Sequence, residues 1–120
     1  MILDDFTPID SVDALQIIDR TEGTGEAVAA GQTVTVDYTG AVAATGTIFQ
    51  SSKDFGKPIT FGLDQVIKGW TDGIPGMKVG GTRRLIIPAD QAYGSRPPYG
   101  SGIPADAALV FDVTLHEISA

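Results

Sequence analysis

The sequence contains no cysteine, no asparagine and only one histidine, His116. Without cysteine it can form no disulfide, no thiolate nucleophile and no Cys-based zinc or iron–sulfur site. Without asparagine it has no N-x-[ST] acceptor for a glycan. A single histidine cannot form a His cluster, and no Ser–Asp partner set for it is evident in the sequence. We therefore expect neither metal catalysis nor acyl transfer through a Ser–His pair.

Basic residues are also scarce. The chain has 8 Lys and Arg against 15 Asp and Glu, which gives a formal net charge of −7. Nucleic-acid binding is not expected, because phosphate contacts need clustered Lys and Arg. No apolar run approaches the roughly 20 residues of a membrane span. The opening MILDDF has neither the basic nor the apolar region of a secretory signal. We expect no membrane partner and a cytoplasmic location.

The acidic charge is concentrated near the start of the chain. Residues 1–26 hold seven acids and one base, whereas residues 27–120 hold eight acids and seven bases. A solvated acidic arm is the favoured interpretation of residues 1–13, and a linker or an extra edge strand are the alternatives. A length of 120 residues suits one domain. We predict that residues 1–13 form an acidic lead segment, with a flexible conformation as one form it could take. We predict that residues 14–120 form one domain.

The 15 glycines and 7 prolines predict many turns and little long helix. Apolar and polar residues alternate in several short runs, which is typical of strands with one buried face. The predicted strands lie around residues 15–18, 33–38, 47–50, 58–63, 82–88 and 109–116. We expect Gly40 to close the second strand, and we expect Arg83 and Arg84 in the fifth, like His116 in the sixth, to be solvated.

One short helix is predicted between the fourth and fifth strands. Asp64 is a reasonable N-cap, and Val66, Ile67, Trp70 and Ile74 then fall on one helical face. Pro75 predicts an end near Gly73. The strands are not in βαβ order, so the predicted fold is α+β, with an antiparallel sheet of five to six strands around one short helix. The helix packs on one face of this sheet, and we expect the other face to be solvated or twisted.

The aromatic residues suggest a binding site rather than a core alone. A plain core explains several of the nine rings, including Phe61. However, Tyr93 and Tyr99 lie in the Gly- and Pro-rich run AYGSRPPYG (92–100), where a core needs no ring. Loops on a rigid scaffold often carry binding residues, and tyrosine suits an apolar pocket with one polar group. A nucleotide site is not expected, since neither GxGxxG nor G-K-[ST] is present.

Five runs together resemble the FKBP-type peptidyl-prolyl isomerases in order and spacing. They are VTVDYTG (34–40), GTIFQSS (46–52), VIKGW (66–70), AYG (92–94) and IPADAALVFDV (103–113). Each run alone is a weak signal, but five in register over about residues 14–118 are highly specific. The resemblance implies an antiparallel sheet wrapped on a short helix, with a pocket between them that receives a proline ring.

The resemblance also implies roles for individual residues. Trp70 would form the pocket floor, while the Ile67 backbone N–H and the Tyr93 hydroxyl would bind substrate carbonyls. The remaining residues implied in catalysis are Tyr38, Phe49, Gln50 and Phe111, and those implied in substrate binding are Ile59, Phe61, Val66, Tyr99 and Ile103. Ile59 makes a smaller wall than the Phe that the family often has, and Tyr99 would belong to a flap over the flanking peptide.

Gln50 departs from the family pattern, in which this position is usually Asp. Glutamine keeps an acceptor and adds a donor, but it loses the charge. Two interpretations follow: an isomerase with altered activity, or a prolyl-peptide-binding, chaperone-like module with weak turnover. The implied partners are proline-containing peptides or unfolded chains, and macrolide inhibitors. No cofactor and no metal are implied, and we expect a monomer.

Overall fold

A computed structural model describes residues 2–3, 6–9, 12–98 and 100–119. Its elements are β1 (Gln16–Thr21), β2 (Thr33–Val42), β3 (Ile48–Ser51), β4 (Ile59–Gly62), α1 (Lys68–Gly73), β5 (Thr82–Ile87) and β6 (Leu109–Ser119). Short 3-10 turns follow at Ser52–Phe55, after β3, and at Ala89–Gln91, after β5. The predicted α+β class, with an antiparallel sheet and one short helix, is confirmed.

The sheet is organised around β2 and β6. Its strand order is β1-β5-β6-β2-β3, and all of its pairs are antiparallel. β2 pairs with β6 along its whole length, while its other edge is shared: β4 pairs with its first half and β3 with its second. This arrangement brings short strands from distant parts of the sequence to one side of β2, where the pocket described below lies.

β2 continues past Gly40 to Val42, so the prediction that this glycine closes the strand is wrong. Gly40 instead pairs with Phe111 on one side and Gln50 on the other. A Cβ at this position would lie 2.6 Å from the Phe111 ring and 2.7 Å from the Phe49 ring. Glycine is therefore present because two aromatic rings occupy the space that any side chain would need.

The helix is shorter than predicted and begins later. It covers six residues, its N-cap is Ile67 without a side-chain hydrogen bond, and Asp64 does not cap it. The segment before it is held from within the helix, because the Thr71 hydroxyl donates to the Leu63 carbonyl at 2.7 Å. Its end at Gly73, ahead of Pro75, is confirmed. No helix in the described part of the chain is long and apolar enough to cross a membrane.

The second face of the sheet, which we expected to be solvated or twisted, is partly exposed along the first part of β2, at Thr35 and Asp37, and is covered at the end of β2. The helix face packs a large cluster that includes Leu63, Ile74 and Leu85. The other face buries Leu3 with Ala41, Ala43, Ile86 and Val110. Two backbone hydrogen bonds fasten the first described residues to the β2–β3 connection: Leu3 N–H to Gly46 O and Ile9 N–H to Ala43 O, both 2.8 Å. Leu3 and Ile9 are thus attached to the sheet, while Asp4, Asp5 and Asp10 of the predicted acidic lead lie outside the described residues.

The prediction that Arg83 and Arg84 are solvated is also wrong. Both are buried, and they face opposite sides of β5 because successive side chains in a strand alternate. Arg84 forms two hydrogen bonds with Asp112, at 2.6 and 2.8 Å. Buried charges need such partners, since desolvation without them is costly. His116 is exposed, as expected, and its Nε2 lies 2.7 Å from Asp37 Oδ2.

Candidate active site

A pocket of about 400 Å³ opens between α1 and the sheet. Every element around it contributes a side chain, and none of the lining side chains is charged. The lining consists of Tyr38 from β2, Gln50 from β3, Phe61 from β4, Gln65, Val66 and Ile67 from the segment before α1, Trp70 from α1, Tyr93 from the loop after β5, and Phe111 from β6. A mostly apolar cavity with a few polar groups is the usual form of a small-ligand site.

Trp70 is the centre of the pocket wall. Its ring meets three others edge to face, at centroid distances of 5.1 Å to Phe61, 5.3 Å to Phe111 and 5.5 Å to Tyr38. Edge-to-face contact is a favoured geometry for aromatic pairs, because the positive ring edge meets the negative face of its neighbour. Each ring is therefore held in one orientation by the others.

Eight of the predicted site residues come together at this pocket, and three other described ones do not line it. Phe49 lies behind Phe111, with ring centroids 5.7 Å apart, and supports the wall from outside. Ile103 belongs to the buried cluster of the helix face, and Ile59 packs against that cluster. Tyr99 lies outside the described residues. The functional roles of all these residues remain predictions.

Gln65 lines the pocket although the sequence analysis did not select it. It immediately precedes the run VIKGW, so its position beside that motif was the available signal. Gln50 and Gln65 are both exposed at the pocket mouth. Neither amide makes a side-chain hydrogen bond within the described part of the chain, so both can donate to and accept from a bound peptide.

Two hydrogen-bond donors are placed at the pocket. The Ile67 backbone N–H precedes the first turn of α1 and has no acceptor among the described residues, as is usual for the first N–H groups of a helix. The Tyr93 hydroxyl is the second donor. Burial raises the pKa of Tyr93, and burial together with the neighbouring Tyr93 and Asp54 raises the pKa of Tyr38. Both hydroxyls therefore keep their protons at neutral pH.

The serines that follow Gln50 fix the geometry of the β2–β3 side. The Ser52 hydroxyl donates to Asp37 Oδ1 at 2.7 Å and accepts from the Tyr38 N–H at 3.1 Å. The Ser51 hydroxyl donates to the Tyr38 carbonyl at 3.2 Å. The backbone N–H and carbonyl of Tyr38 are thus tied to the end of β3 and the turn that follows it.

Comparison with known proteins gives consistent matches. Residues 24–116 match the family described as FKBP-type peptidyl-prolyl cis-trans isomerase. An FK506-binding protein of Streptomyces anulatus is 48% identical over 99 residues, which are 81% of this chain and 80% of that protein. FK506-binding protein 4 of Gibberella zeae is 48% identical over 114 residues, 93% of this chain but only 22% of the relative, so the chain spans about a fifth of that protein.

A solved structure gives the same answer for the fold. The crystal structure of a peptidyl-prolyl cis-trans isomerase from Pseudomonas syringae pv. tomato superposes with a TM-score of 0.79 at 36% identity, covering 93% of this chain and 80% of that one. The fold and these matches together define the domain as a peptidyl-prolyl cis-trans isomerase. Within that class, the chain belongs to the FKBP-type family.

Proposed function

We propose that the pocket around Trp70 is the site at which this isomerase receives the proline ring of a flexible or unfolded chain. The observation that carries the proposal is the uncharged, ring-lined cavity of about 400 Å³ with two hydrogen-bond donors beside it. A proline ring fits among Tyr38, Phe61, Trp70 and Phe111 as an apolar group leaving water. Assistance to folding steps limited by proline is the role that this activity supports.

The reaction requires no nucleophile and no metal. Rotation about an Xaa–Pro amide breaks no bond, and its barrier of roughly 18–20 kcal/mol is the loss of amide resonance. Without a catalyst the exchange takes about 10–100 s at 25 °C. Each ~1.4 kcal/mol by which the site stabilises the twisted amide relative to the planar one gives about a tenfold acceleration.

The pocket favours the twisted amide for a physical reason. A planar amide is strongly dipolar, and twisting it removes the resonance charge from oxygen and nitrogen. An uncharged aromatic wall therefore disfavours the planar form more than the twisted one, and it grips the ring while the preceding residue turns. The Ile67 N–H and the Tyr93 hydroxyl would hold the carbonyls on either side of the bond, so that rotation occurs between two fixed points.

The first test measures kcat/KM for cis-to-trans isomerisation of a Leu-Pro peptide. We expect a rate well above the uncatalysed one, lowered in Tyr93→Phe and Trp70→Ala. Acceleration that survives both substitutions unchanged would show that isomerisation happens elsewhere on the domain. No acceleration, with the peptide still bound, would favour the second function considered next.

A prolyl-peptide-binding or chaperone-like module with weak turnover is the second candidate. The observation that favours it is Gln50, which places an uncharged amide on the pocket where the family usually has Asp. In the matched pair Gln50→Asp and Gln50→Asn, both variants have the same shorter side chain and only one carries charge. If the position tunes catalysis, we expect Gln50→Asp to turn over several times faster than Gln50→Asn. Equal rates and equal peptide affinities would remove this position as the switch.

The finer expectations from the sequence enter here as proposals. The relatives named FK506-binding proteins support macrolide binding, which a fluorescence titration of Trp70 tests; no change at saturating FK506 would contradict it. Residues 14–120 are proposed as the isomerase domain, and the chain is proposed to be monomeric and cytoplasmic. Sedimentation equilibrium tests the monomer, and imaging of the tagged protein in its own cells tests the location.

A further inference from the structure

The helix that carries the pocket floor has little stability of its own. α1 is six residues long, has no side-chain N-cap, and has no basic residue in its last turn to meet its C-terminal carbonyls. Helices of this length are unstable alone in water, and their last carbonyls need partners from outside. The position of Trp70 and of the Ile67 N–H must therefore be set by what packs against α1.

Three side chains of β5 that face α1 provide that support, and they contact successive parts of the helix: Ile87, Leu85 and Arg83. Cβ atoms added to the helix glycines would lie 2.6 Å from Ile87 at Gly69 and 2.8 Å from Leu85 at Gly73, so α1 lies directly on the strand. The next residue of β5 that faces α1 is Arg83, which binds the carbonyls of Gly73 and Pro75. The helix and the strand run antiparallel, and the arginine lies at the C-terminal end of α1.

The guanidinium of Arg83 makes four hydrogen bonds at this end. Its Nη1 donates to Gly73 O at 2.7 Å and to Pro75 O at 3.3 Å. Its Nε and Nη2 donate to Asp19 Oδ1 and Oδ2 of the edge strand β1, at 2.6 and 3.3 Å. The residue is 7% exposed. A cation at a helix C-terminus is favourable, and the paired carboxylate holds the planar fork in one orientation.

We propose that Arg83 is a positioning residue of the isomerase, which fixes α1 along β5 and thereby sets the position of Trp70 and of the Ile67 N–H. The inference rests on the proposed function of the pocket. Asp19 has a secondary part, since it orients the guanidinium but contacts neither the helix nor the pocket. Packing of Ile87 and Leu85 holds the helix against the sheet, whereas the directional hydrogen bonds of Arg83 fix it along the strand.

The neighbouring Arg84 offers a matched control. It is also buried and also paired through two hydrogen bonds to a carboxylate, Asp112. However, it faces the opposite side of β5, with its guanidinium carbon 5.6 Å from the centre of the Phe6 ring. Removing either guanidinium breaks an ion pair of a buried arginine, with a carboxylate that is 56% exposed at Asp19 and 28% exposed at Asp112. Only the Arg83 pair is connected to α1.

The experiment compares Arg83→Met with Arg84→Met in the full chain. Urea unfolding gives the folded fraction, a Leu-Pro peptide gives kcat and KM, and the emission maximum reports the single tryptophan. With activity expressed per folded molecule, we expect Arg83→Met to lose about tenfold or more in kcat/KM, since small misplacements of reacting groups cost up to about 100-fold. We expect a shift of the Trp70 emission in the same variant. Arg84→Met should keep kcat/KM within about twofold, with unchanged emission.

Other outcomes decide against the proposal. Equal losses per folded molecule in the two variants, or unchanged Trp70 emission in folded Arg83→Met, would overturn it. Should Arg83→Met fail to fold, Arg83→Lys and Asp19→Asn are tested instead, because lysine keeps the charge but lacks the planar guanidinium with its several donors. Both should then show a reduced kcat/KM, and wild-type activity in both would overturn the proposal. A wild-type chain without activity would contradict the proposed function, and the emission comparison would still decide whether Arg83 positions the helix.

Discussion

The two faces of the sheet bury apolar side chains in different ways. On the helix face, large rings from four elements meet edge to face around an open pocket. On the other face, Ala41, Ala43, Ile86 and Val110 form a cluster with Leu3, against which Phe6, Ile9 and Val12 pack. The two faces therefore show that burying apolar side chains does not by itself form a pocket. Small aliphatic residues close a surface, whereas rings held by one another leave a gap of defined shape.

The largest effect is expected from Trp70→Ala, which removes the centre of the ring cluster. We expect a loss of about 100-fold or more in kcat/KM for a Leu-Pro peptide, because the substitution removes the pocket floor and the contacts that orient three other rings. Truncation of a buried aromatic residue also costs about 3–5 kcal/mol in the free energy of unfolding. Activity must therefore be measured per folded molecule. Retained activity would contradict the statement that the ring cluster on the helix face forms the site.

Leu3→Ala is the corresponding truncation on the other face. Its side chain is buried, so we expect a loss of about 2 kcal/mol in the free energy of unfolding, at the low end for such changes. The loss is at the low end because a segment near the chain start can shift to fill the space. Urea unfolding measures this loss, and kcat/KM per folded molecule should stay within about twofold. A large loss of activity would mean that the two faces are coupled.

Tyr93→Phe sharpens the comparison by removing one donor and leaving the apolar wall intact. A typical hydrogen bond is worth about 1 kcal/mol net, so we expect about a fivefold loss in kcat/KM. Burial raises the pKa of Tyr93 above its usual value of about 10, so the wild-type rate should be flat from neutral pH to about pH 10. A rate that falls between pH 8 and 9 would contradict the role given to this hydroxyl.

The smallest effect is expected at Asp37, on the outward side of β2. Its hydrogen bonds with Ser52 and His116 lower the pKa of this carboxyl below its usual value near 3.8. Its contribution to stability is therefore present above that value and is lost as the pH falls through the folded-state pKa. The pair is half exposed, so Asp37→Asn should cost less than about 1 kcal/mol at pH 7. The urea midpoints of the wild type and of Asp37→Asn should converge below pH 4. Midpoints that diverge there would contradict the lowered pKa assigned to Asp37.

The strands were predictable from the sequence, whereas the partners of the polar side chains were not. The alternation of Val34, Val36 and Tyr38 predicted β2 because period two is a local property of a half-buried strand. The prediction for Arg83 and Arg84 was wrong because charge says nothing about distant partners. Asp19 is 64 residues from Arg83 along the chain, and only the pairing of β1 with β5 brings them together. The Asp64 cap was wrong because residues 63–66 form a turn and a bend, and α1 begins only at Lys68.

By itself, the sequence determined the fold class, the family and most of the pocket lining, since period, turn residues and spaced motifs are all read locally. Only the tertiary structure decided the rest. It placed Phe49 behind the wall, added Gln65 to the pocket mouth, covered one end of the second face with Leu3, and joined Arg83 to the end of α1. Each of these depends on contacts between segments far apart in sequence, where shape and partner geometry, rather than residue type, determine what a side chain does.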